Sequence, residues 1–375
     1  MNSPQIPVPR VRGILALLGL ATLLALVPAT TPAPAQAQAA QGVLDPNGQR
    51  GVAFVHIPSA PFGSQAAYDS LKRVHDLGAN WVSIVASFRQ NVARSTSFSL
   101  SANDPTDQQI AQMISYAHSL GMKVMLQPII LANDGVWSGY FSPEPPEAWF
   151  DSYRTTIASY ARLAQSVSAD EFCIGTEFFT LTQPSFSGQW RQVIQVVRQN
   201  YFGPITYSAN WGDKKTPEYA TIDWWDQLDY IGISAYFPLS WNNFYTDPLR
   251  QGWISYTDPY GANAVGQNFR WFDAISAVHG RWNKPIQFTK IGFASYANSP
   301  GRWDLRPDPT LELSVQGNAY EATMEVWRSI PWMTGIFWSP WYSNPNAGGP
   351  LDTGESPQNK PAEQVLRKWY AHGGQ

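Results

Sequence analysis

Runs of β-branched and aromatic residues alternate along the chain with segments of helical periodicity, and this alternation restricts the fold more than any other feature. The predicted strands are 51–57, 81–88, 123–131, 171–178, 204–210, 230–238, 285–294 and 334–341. The predicted helices are 65–77, 106–120, 147–167, 188–200, 265–281, 311–329 and 359–371. Strands that alternate with helices form parallel βαβ units, and eight such units close into a barrel. The sequence therefore predicts an α/β fold with a single (β/α)8 barrel.

The first 39 residues have the organisation of a secretory signal peptide. Arg10 and Arg12 precede an uncharged stretch at 13–27, and small-residue sites at 35–37 and 37–39 follow it. That order of charged, apolar and small-residue regions is typical of an export signal. We expect a signal peptide at 1–39, a linker at 40–50 and the barrel domain at 51–375. The protein would be secreted and not inserted in a membrane after cleavage. An uncleaved anchor is the alternative, although a span needs about 20 apolar residues.

Composition removes several classes of partner. The 375 residues carry 25 Lys+Arg against 28 Asp+Glu, with no basic run, so we expect no nucleic-acid partner. The single cysteine, Cys173, cannot form an intrachain disulfide. The five histidines lack metal-site spacing, and phosphate-cradling and dinucleotide motifs do not occur, so no metal or cofactor is expected. Aromatic residues make up 14%, which favours ring surfaces that stack on sugars. We expect a monomer that binds a polysaccharide or oligosaccharide.

Polar side chains at the carboxyl ends of barrel strands are the candidates for a functional site. Glu177 closes the fourth predicted strand, and pleat alternation puts it on the face of Cys173 and Gly175. A glutamate after an apolar strand is costly to bury, which favours a functional role. The expected substrate-binding residues are Arg89, Asn210, Trp211, Tyr236, Trp338 and Trp341. For some of them a structural role competes: Arg89 could tie down a loop, Asn210 could cap a turn, and Tyr236 and Trp338 could pack under loops.

Four segments together resemble glycoside hydrolase family 113. They are Phe-Cys-Ile-Gly-Thr-Glu at 172–177, Tyr-Ile-Gly-Ile-Ser-Ala-Tyr at 230–236, Thr-Lys-Ile-Gly-Phe at 289–293 and Gly-Ile-Phe-Trp at 335–338. The resemblance implies a (β/α)8 retaining hydrolase that acts on β-1,4-mannan. It also implies two catalytic glutamates, at the ends of the fourth and seventh barrel strands. Glu177 falls at the acid/base position, and Lys290 falls at the position of the nucleophile.

Lys290 is a departure from the family pattern, which is Thr-Glu-Ile-Gly where this chain has Thr-Lys-Ile-Gly at 289–292. A retaining mechanism uses two carboxyl groups about 5–5.5 Å apart, one of which forms a glycosyl ester. An ammonium cannot form that ester, and its charge opposes the positive charge that develops on the sugar. We therefore expect an ion pair between Glu177 and Lys290, with turnover lost or altered.

Several functions remain open at this point. The first is a glycoside-hydrolase-like protein that acts on or binds a mannan-type β-linked hexose polysaccharide. Such an enzyme could recruit Asp134 or Asp213 as an inverting base, at a separation of about 6.5–9.5 Å from the acid. The second is a catalytically inactive, secreted carbohydrate-binding barrel. The third is an aldolase-like barrel in which Lys290 forms a Schiff base and Glu177 shuttles protons.

Overall fold

A computed structural model describes residues 42–212, 217–237, 239, 271–297, 299 and 310–372. The predicted signal peptide at 1–39 and Asp213 lie outside these residues. Among the described residues, no helix is both long and apolar enough to cross a membrane.

Eight parallel strands close into a barrel, which confirms the predicted fold. In chain order the strands are β1 (Gln49–Val55), β2 (Trp81–Gln90), the short β3 (Phe98–Ser99), β4 (Lys123–Ala132), β5 (Glu171–Thr176), β6 (Ile205–Asn210), β7 (Ile231–Ser234), β8 (Ile286–Ile291) and β9 (Met333–Tyr342). The hydrogen-bonded order is β1-β9-β8-β7-β6-β5-β4-β2, and pairing of β1 with β2 closes the ring. β3 is antiparallel to the end of β2 and lies outside the ring.

Helices follow the barrel strands where the periodicity predicts them, and a one-turn helix that was not predicted follows β6. They are α1 (Gln65–Asp76), α2 (Asp107–Ser119), α3 (Pro146–Ser166), α4 (Ser187–Asn200), the one-turn α5 (Glu218–Thr221), α6 (Trp271–Trp282), α7 (Leu313–Trp327) and α8 (Pro361–His372). The start of α2 illustrates the local cause. Thr106 accepts from the backbone of Gln109, and the Gln109 side chain accepts from the backbone of Thr106, which is a capping box.

The interior of the barrel changes in polarity from floor to mouth. On the floor, the carboxylate of Glu171 accepts hydrogen bonds from Gln49 and Gln287, at 3.0 Å and 2.5 Å. An apolar layer of Trp81, Met125, Cys173 and Phe337 follows. Nearer the mouth the interior becomes polar again, because Gln127 links Ser83 to Thr176 through its side-chain amide. The apolar residues that alternate with these face the surrounding helices, so the main core lies between sheet and helices.

The expectation of a linker at 40–50 is wrong for residues 42–50, which the structure describes. Val43 is fully buried in the core, and β1 already begins at Gln49. Asn80 fastens this segment, since its side chain accepts from the backbone of Arg50 and donates to the carbonyl of Gly48. The barrel therefore includes residues before 51, because Val43 contributes apolar surface to it.

Candidate functional site

Glu177 is placed by a turn in the backbone and not by the pleat of its strand. β5 ends at Thr176, whereas the sequence predicted a strand to 178 with Glu177 in its alternation. The pairing of β5 with β6 loses its register between Cys173 and Thr176. Glu177 then adopts a left-handed conformation, with φ of 55°, and its N–H donates to the carbonyl of Ser208 at 2.9 Å. A non-glycine residue in this region is strained by about 1–2 kcal/mol, and such residues concentrate at functional sites.

The carboxylate of Glu177 faces the ammonium of Lys290 at the mouth of the barrel. Lys290 Nζ lies 3.6 Å from Glu177 Oε1, and the two side chains are 21% and 10% exposed. The indole N–H of Trp137 donates to the other oxygen, Glu177 Oε2, at 2.7 Å. Ser138 Oγ donates to the backbone carbonyl of Glu177 at 3.1 Å. The carboxylate is therefore held between an indole donor and a cation.

Lys290 occupies the end of β8, where pairing is irregular on both sides. The register shifts between Ile233 and Ser234 against β7, and between Phe288 and Ile291 against β9. Irregular pairing of this kind redirects side chains and is frequent beside active sites. The Lys290 ammonium also lies 5.6 Å from the centre of the Tyr236 ring, within the range of a cation–π contact.

A cavity of about 240 Å³ opens onto this pair. Residues 129–132 at the end of β4 and 135–138 in the following loop form one wall, and Thr176, Glu177 and Lys290 complete the lining. The wall is largely apolar, since it includes Ile129, Ile130, Leu131 and Val136. An apolar wall opposite a few polar groups is the usual form of a small-ligand site.

Behind Glu177 lies a second, fully buried carboxyl group that sequence reasoning missed. Glu218 accepts hydrogen bonds from the hydroxyls of Thr182 and Tyr207, both at 2.7 Å, and from the backbone N–H of Asn210 at 2.5 Å. Tyr207 in turn accepts from the N–H of Phe178 at 2.7 Å. Burial raises the pKa of Glu218 to about 7, although these hydrogen bonds act to lower it. Glu218 thus holds the backbone on which Glu177 sits.

The remaining expected polar residues are engaged with the protein itself. Arg89 Nε donates to both carboxylate oxygens of Asp104 at 3.0 Å, which ties down the loop before α2. Hydrogen bonds from Ser87 and Ser101 further hold this carboxylate. Asn210 Oδ1 accepts from the N–H of Gly212 at 2.7 Å and caps a turn. Neither Arg89 nor Asn210 lines the cavity at Glu177.

The expectation that Trp338 and Trp341 face a ligand is wrong, because both rings are fully buried. Trp338 stacks on Tyr320 of α7 at 3.7 Å, and the indole N–H of Trp341 donates to Ser70 of α1 at 3.1 Å. Trp338 lies on the same face as Ile336, toward the helices, and the register shift between Trp338 and Trp341 against β1 turns Trp341 to that side as well. Trp211 is half-buried and packs its edge on Trp271 at 5.7 Å. Tyr236, by contrast, contacts the Lys290 ammonium.

Asp134 is engaged within its own loop and does not line the cavity at Glu177. Its two oxygens accept from the N–H groups of Ala93 and Val136, at 3.0 Å and 3.1 Å, and so close a turn in an exposed loop. Within the described ranges, no group of three or more His, Cys, Asp or Glu side chains is arranged to hold a metal ion.

Comparison with known proteins identifies the same family that the motifs suggest. The sequence pattern of glycoside hydrolase family 113 matches residues 54–349. A β-mannanase of that family from Alicyclobacillus acidocaldarius, solved in complex with ManMIm, is 25% identical; the match covers 88% of this chain and 99% of that one, with a TM-score of 0.72. A family 113 β-1,4-mannanase in a complex is 24% identical, with 87% and 99% covered and a TM-score of 0.70.

A more distant likeness extends only to the fold. A β-glucuronidase from Ruminococcus gnavus is 11% identical, with a TM-score of 0.56, and the match covers 86% of this chain and 50% of that one. No curated protein matches the chain in sequence.

Proposed function

Since the chain belongs to glycoside hydrolase family 113, we propose that its cavity binds a β-1,4-linked, mannan-type polysaccharide, with Glu177 as the acid/base group and with hydrolysis impaired by Lys290. The observation that carries this proposal is the pair itself. A carboxylate and an ammonium lie 3.6 Å apart at the mouth of the barrel, where the mechanism of the family requires two carboxylates.

The position of Glu177 suits a group that reaches the glycosidic oxygen of a bound sugar. Its side chain is 10% exposed and lines the cavity, so it can reach the leaving oxygen of a bound sugar. The Trp137 indole fixes one carboxylate oxygen at 2.7 Å, which orients the other toward the ligand. Positioning of this kind supplies a substantial part of the rate of an enzyme.

Lys290 removes the second half of the mechanism. A lysine has no carboxylate oxygen and so cannot form the glycosyl ester. Its positive charge would also lie close to the anomeric carbon of the bound sugar, where positive charge develops. The same ammonium nevertheless can donate hydrogen bonds to sugar hydroxyls. Ligand binding is therefore expected to persist while turnover is low.

The apolar wall of the cavity complements the carbon-rich face of a pyranose ring. Leu131 and Tyr140 are exposed at 39% and 64%, and the Tyr140 ring packs its edge on Trp137 at 5.1 Å. Exposed apolar and aromatic side chains beside a polar site are typical of sugar binding. They extend the ligand-binding surface outward from Glu177.

The test is to restore the carboxylate with Lys290→Glu. We expect hydrolysis of β-1,4-mannan and of manno-oligosaccharides to rise by at least about 100-fold, measured as reducing ends, because the second carboxylate of the mechanism is then supplied. Lys290→Gln is the matched control, since it removes the charge without adding a carboxylate and should give no such gain. Adding Glu177→Gln to the restored variant should abolish the gain.

A binding-only protein is the second candidate, and the ion pair at 3.6 Å favours it. Calorimetric titration of the wild-type protein with mannohexaose separates the two. Binding without turnover identifies the inactive barrel, whereas wild-type turnover that Glu177→Ala abolishes identifies an active enzyme. If Lys290→Glu neither binds nor cleaves mannan, the assignment of mannan as ligand is wrong.

A further inference from the structure

The Lys290 ammonium has more hydrogen-bonding capacity than its surroundings use. It carries three N–H donors. Glu177 Oε1 at 3.6 Å is close enough for charge pairing but beyond the usual hydrogen-bond distance. The other oxygen of that carboxylate already accepts from Trp137. We find no hydrogen bond from Lys290 Nζ to any other residue that the structure describes, although the ammonium lines an open cavity.

We propose that Lys290 forms a carboxylate-binding site in this cavity, a proposal that rests on the assignment of the cavity as a sugar site. The ligand is either a small free carboxylate, such as formate, beside a neutral sugar, or the carboxylate of a uronic acid residue within the glycan. An ammonium pairs well with either. The apolar wall formed by Ile129, Leu131 and Val136 lowers the local dielectric, which strengthens an ion pair inside the cavity.

Charge balance explains why the site accepts an anion during catalysis. A general acid must carry its proton when the glycosidic bond breaks. A protonated Glu177 no longer neutralises Lys290, and among the described residues the ammonium then has no other ion-pair partner. A bound carboxylate restores neutrality, and it also places negative charge near the sugar, where the missing nucleophile of the family would stand.

With a neutral sugar, a small carboxylate held by Lys290 completes a balanced reaction. One carboxylate oxygen bonds to the anomeric carbon as the bond from that carbon to the leaving oxygen breaks, and the proton of Glu177 passes to the leaving oxygen. Water then attacks the anomeric carbon, Glu177 takes the proton of that water, and the carboxylate departs unchanged. The net reaction is hydrolysis, with the carboxylate as a co-catalyst that is not consumed.

Binding is tested first without sugar, by line broadening of ¹³C-formate in nuclear magnetic resonance at constant ionic strength. A ligand of three heavy atoms is limited to a Kd no tighter than about 1 mM, which this method detects. We expect broadening with the wild-type protein and with Lys290→Arg, which keeps the charge. We expect none with Lys290→Met, which has similar length and no charge. Lys284→Met is the control. Lys284 lies two residues before β8, at the opposite end of that strand from Lys290, so this variant should behave as wild type.

The two sources of carboxylate are separated by further measurements. Saturating formate should raise wild-type hydrolysis of an aryl β-mannoside at least several-fold and leave Lys290→Met unchanged if the ligand is free. Tighter binding of a mannuronate oligosaccharide than of its neutral counterpart, lost in Lys290→Met, would identify the uronate instead.

The proposal is overturned if formate broadening persists in Lys290→Met. It is also overturned if binding of neither formate nor the mannuronate oligosaccharide depends on Lys290. Neutral mannohexaose binding is measured alongside, so that the two proposals fail separately. Binding of mannohexaose without any carboxylate effect rejects only the anion site. Lys290-dependent carboxylate binding without mannohexaose binding rejects only the mannan assignment.

Discussion

The buried carboxyl of Glu171 on the barrel floor leads to a prediction that requires no substrate. Burial raises the pKa of Glu171 from 4.5 to about 8, and the hydrogen bonds from Gln287 and Gln49 only partly oppose this effect. Between pH 4.5 and about pH 8, Glu171 keeps its proton in the folded protein and releases it in the unfolded chain. Stability therefore falls as the pH rises from about 4.5 to about 8, and this contribution is constant outside that window. The difference of about 3.5 pH units corresponds to about 5 kcal/mol in alkaline solution.

Glu171→Gln removes this titration and keeps the shape of the side chain. The amide oxygens of Gln49 and Gln287 have no hydrogen-bond partner within the described structure. Rotation of one of these amides by 180° would therefore let the new amide group donate to it. We expect the variant to resemble wild type at pH 5 and to be more stable by a few kcal/mol at pH 9.

The assay is urea unfolding, followed by circular dichroism, at pH 5 and pH 9. All other titrating groups are common to both proteins, so the difference between their pH profiles isolates Glu171. Glu147→Gln, at an exposed position on α3, is the control and should follow the wild-type profile. Parallel pH profiles for wild type and Glu171→Gln would refute the reasoning, as would a variant less stable than wild type at pH 9.

Three further predictions concern the groups around the site. Glu218→Ala leaves three buried donors without an acceptor and should lower stability by several kcal/mol in urea unfolding; a loss under about 1 kcal/mol would show that Glu218 does not hold this region. Trp137→Phe should weaken mannohexaose binding about tenfold in calorimetry with little change in melting temperature, because it removes the hydrogen bond to Glu177 and part of a ring that lines the cavity. Unchanged affinity would contradict a role for Trp137 in binding. The pKa of Asp104 is lowered because hydrogen bonds from Arg89 and its neighbours outweigh burial, so this carboxylate stabilises the fold near neutral pH and loses that effect on acidification. Asp104→Asn should therefore cost about 3 kcal/mol at pH 7, and progressively less in acid, as measured by urea midpoints.

The fold was predictable because hydrophobic periodicity is a local property. Each apolar run and each helical segment is encoded within about ten residues. Eight strands that alternate with helices are then compatible with few architectures. The prediction failed at the ends of strands. The start of β1 was placed at 51 and not at Gln49, and β5 was extended to 178, since nothing local distinguishes a strand residue from the turn that follows it.

Of the expected site residues, Glu177, Lys290 and Tyr236 lie together, and the others do not join them. Glu177 and Lys290 were found because short motifs carry them, and their side chains lie 3.6 Å apart. The bulge in β9 reverses the direction of Trp341, and a bulge has no reliable signal in one sequence. Glu218 was missed for a different reason. It follows Pro217 at the start of a one-turn helix, where an acidic residue is ordinary, and only the tertiary fold brings it beneath Tyr207.

The left-handed backbone of Glu177 has a consequence for anyone who chooses substitutions there. Glycine adopts a φ of 55° without steric cost, and asparagine tolerates it well, whereas alanine bears the same strain as glutamate. Replacement by glycine or asparagine should therefore raise the melting temperature relative to replacement by alanine, even though all three delete the acid. A glutamate held where glycine would be unstrained therefore points to a demand other than stability.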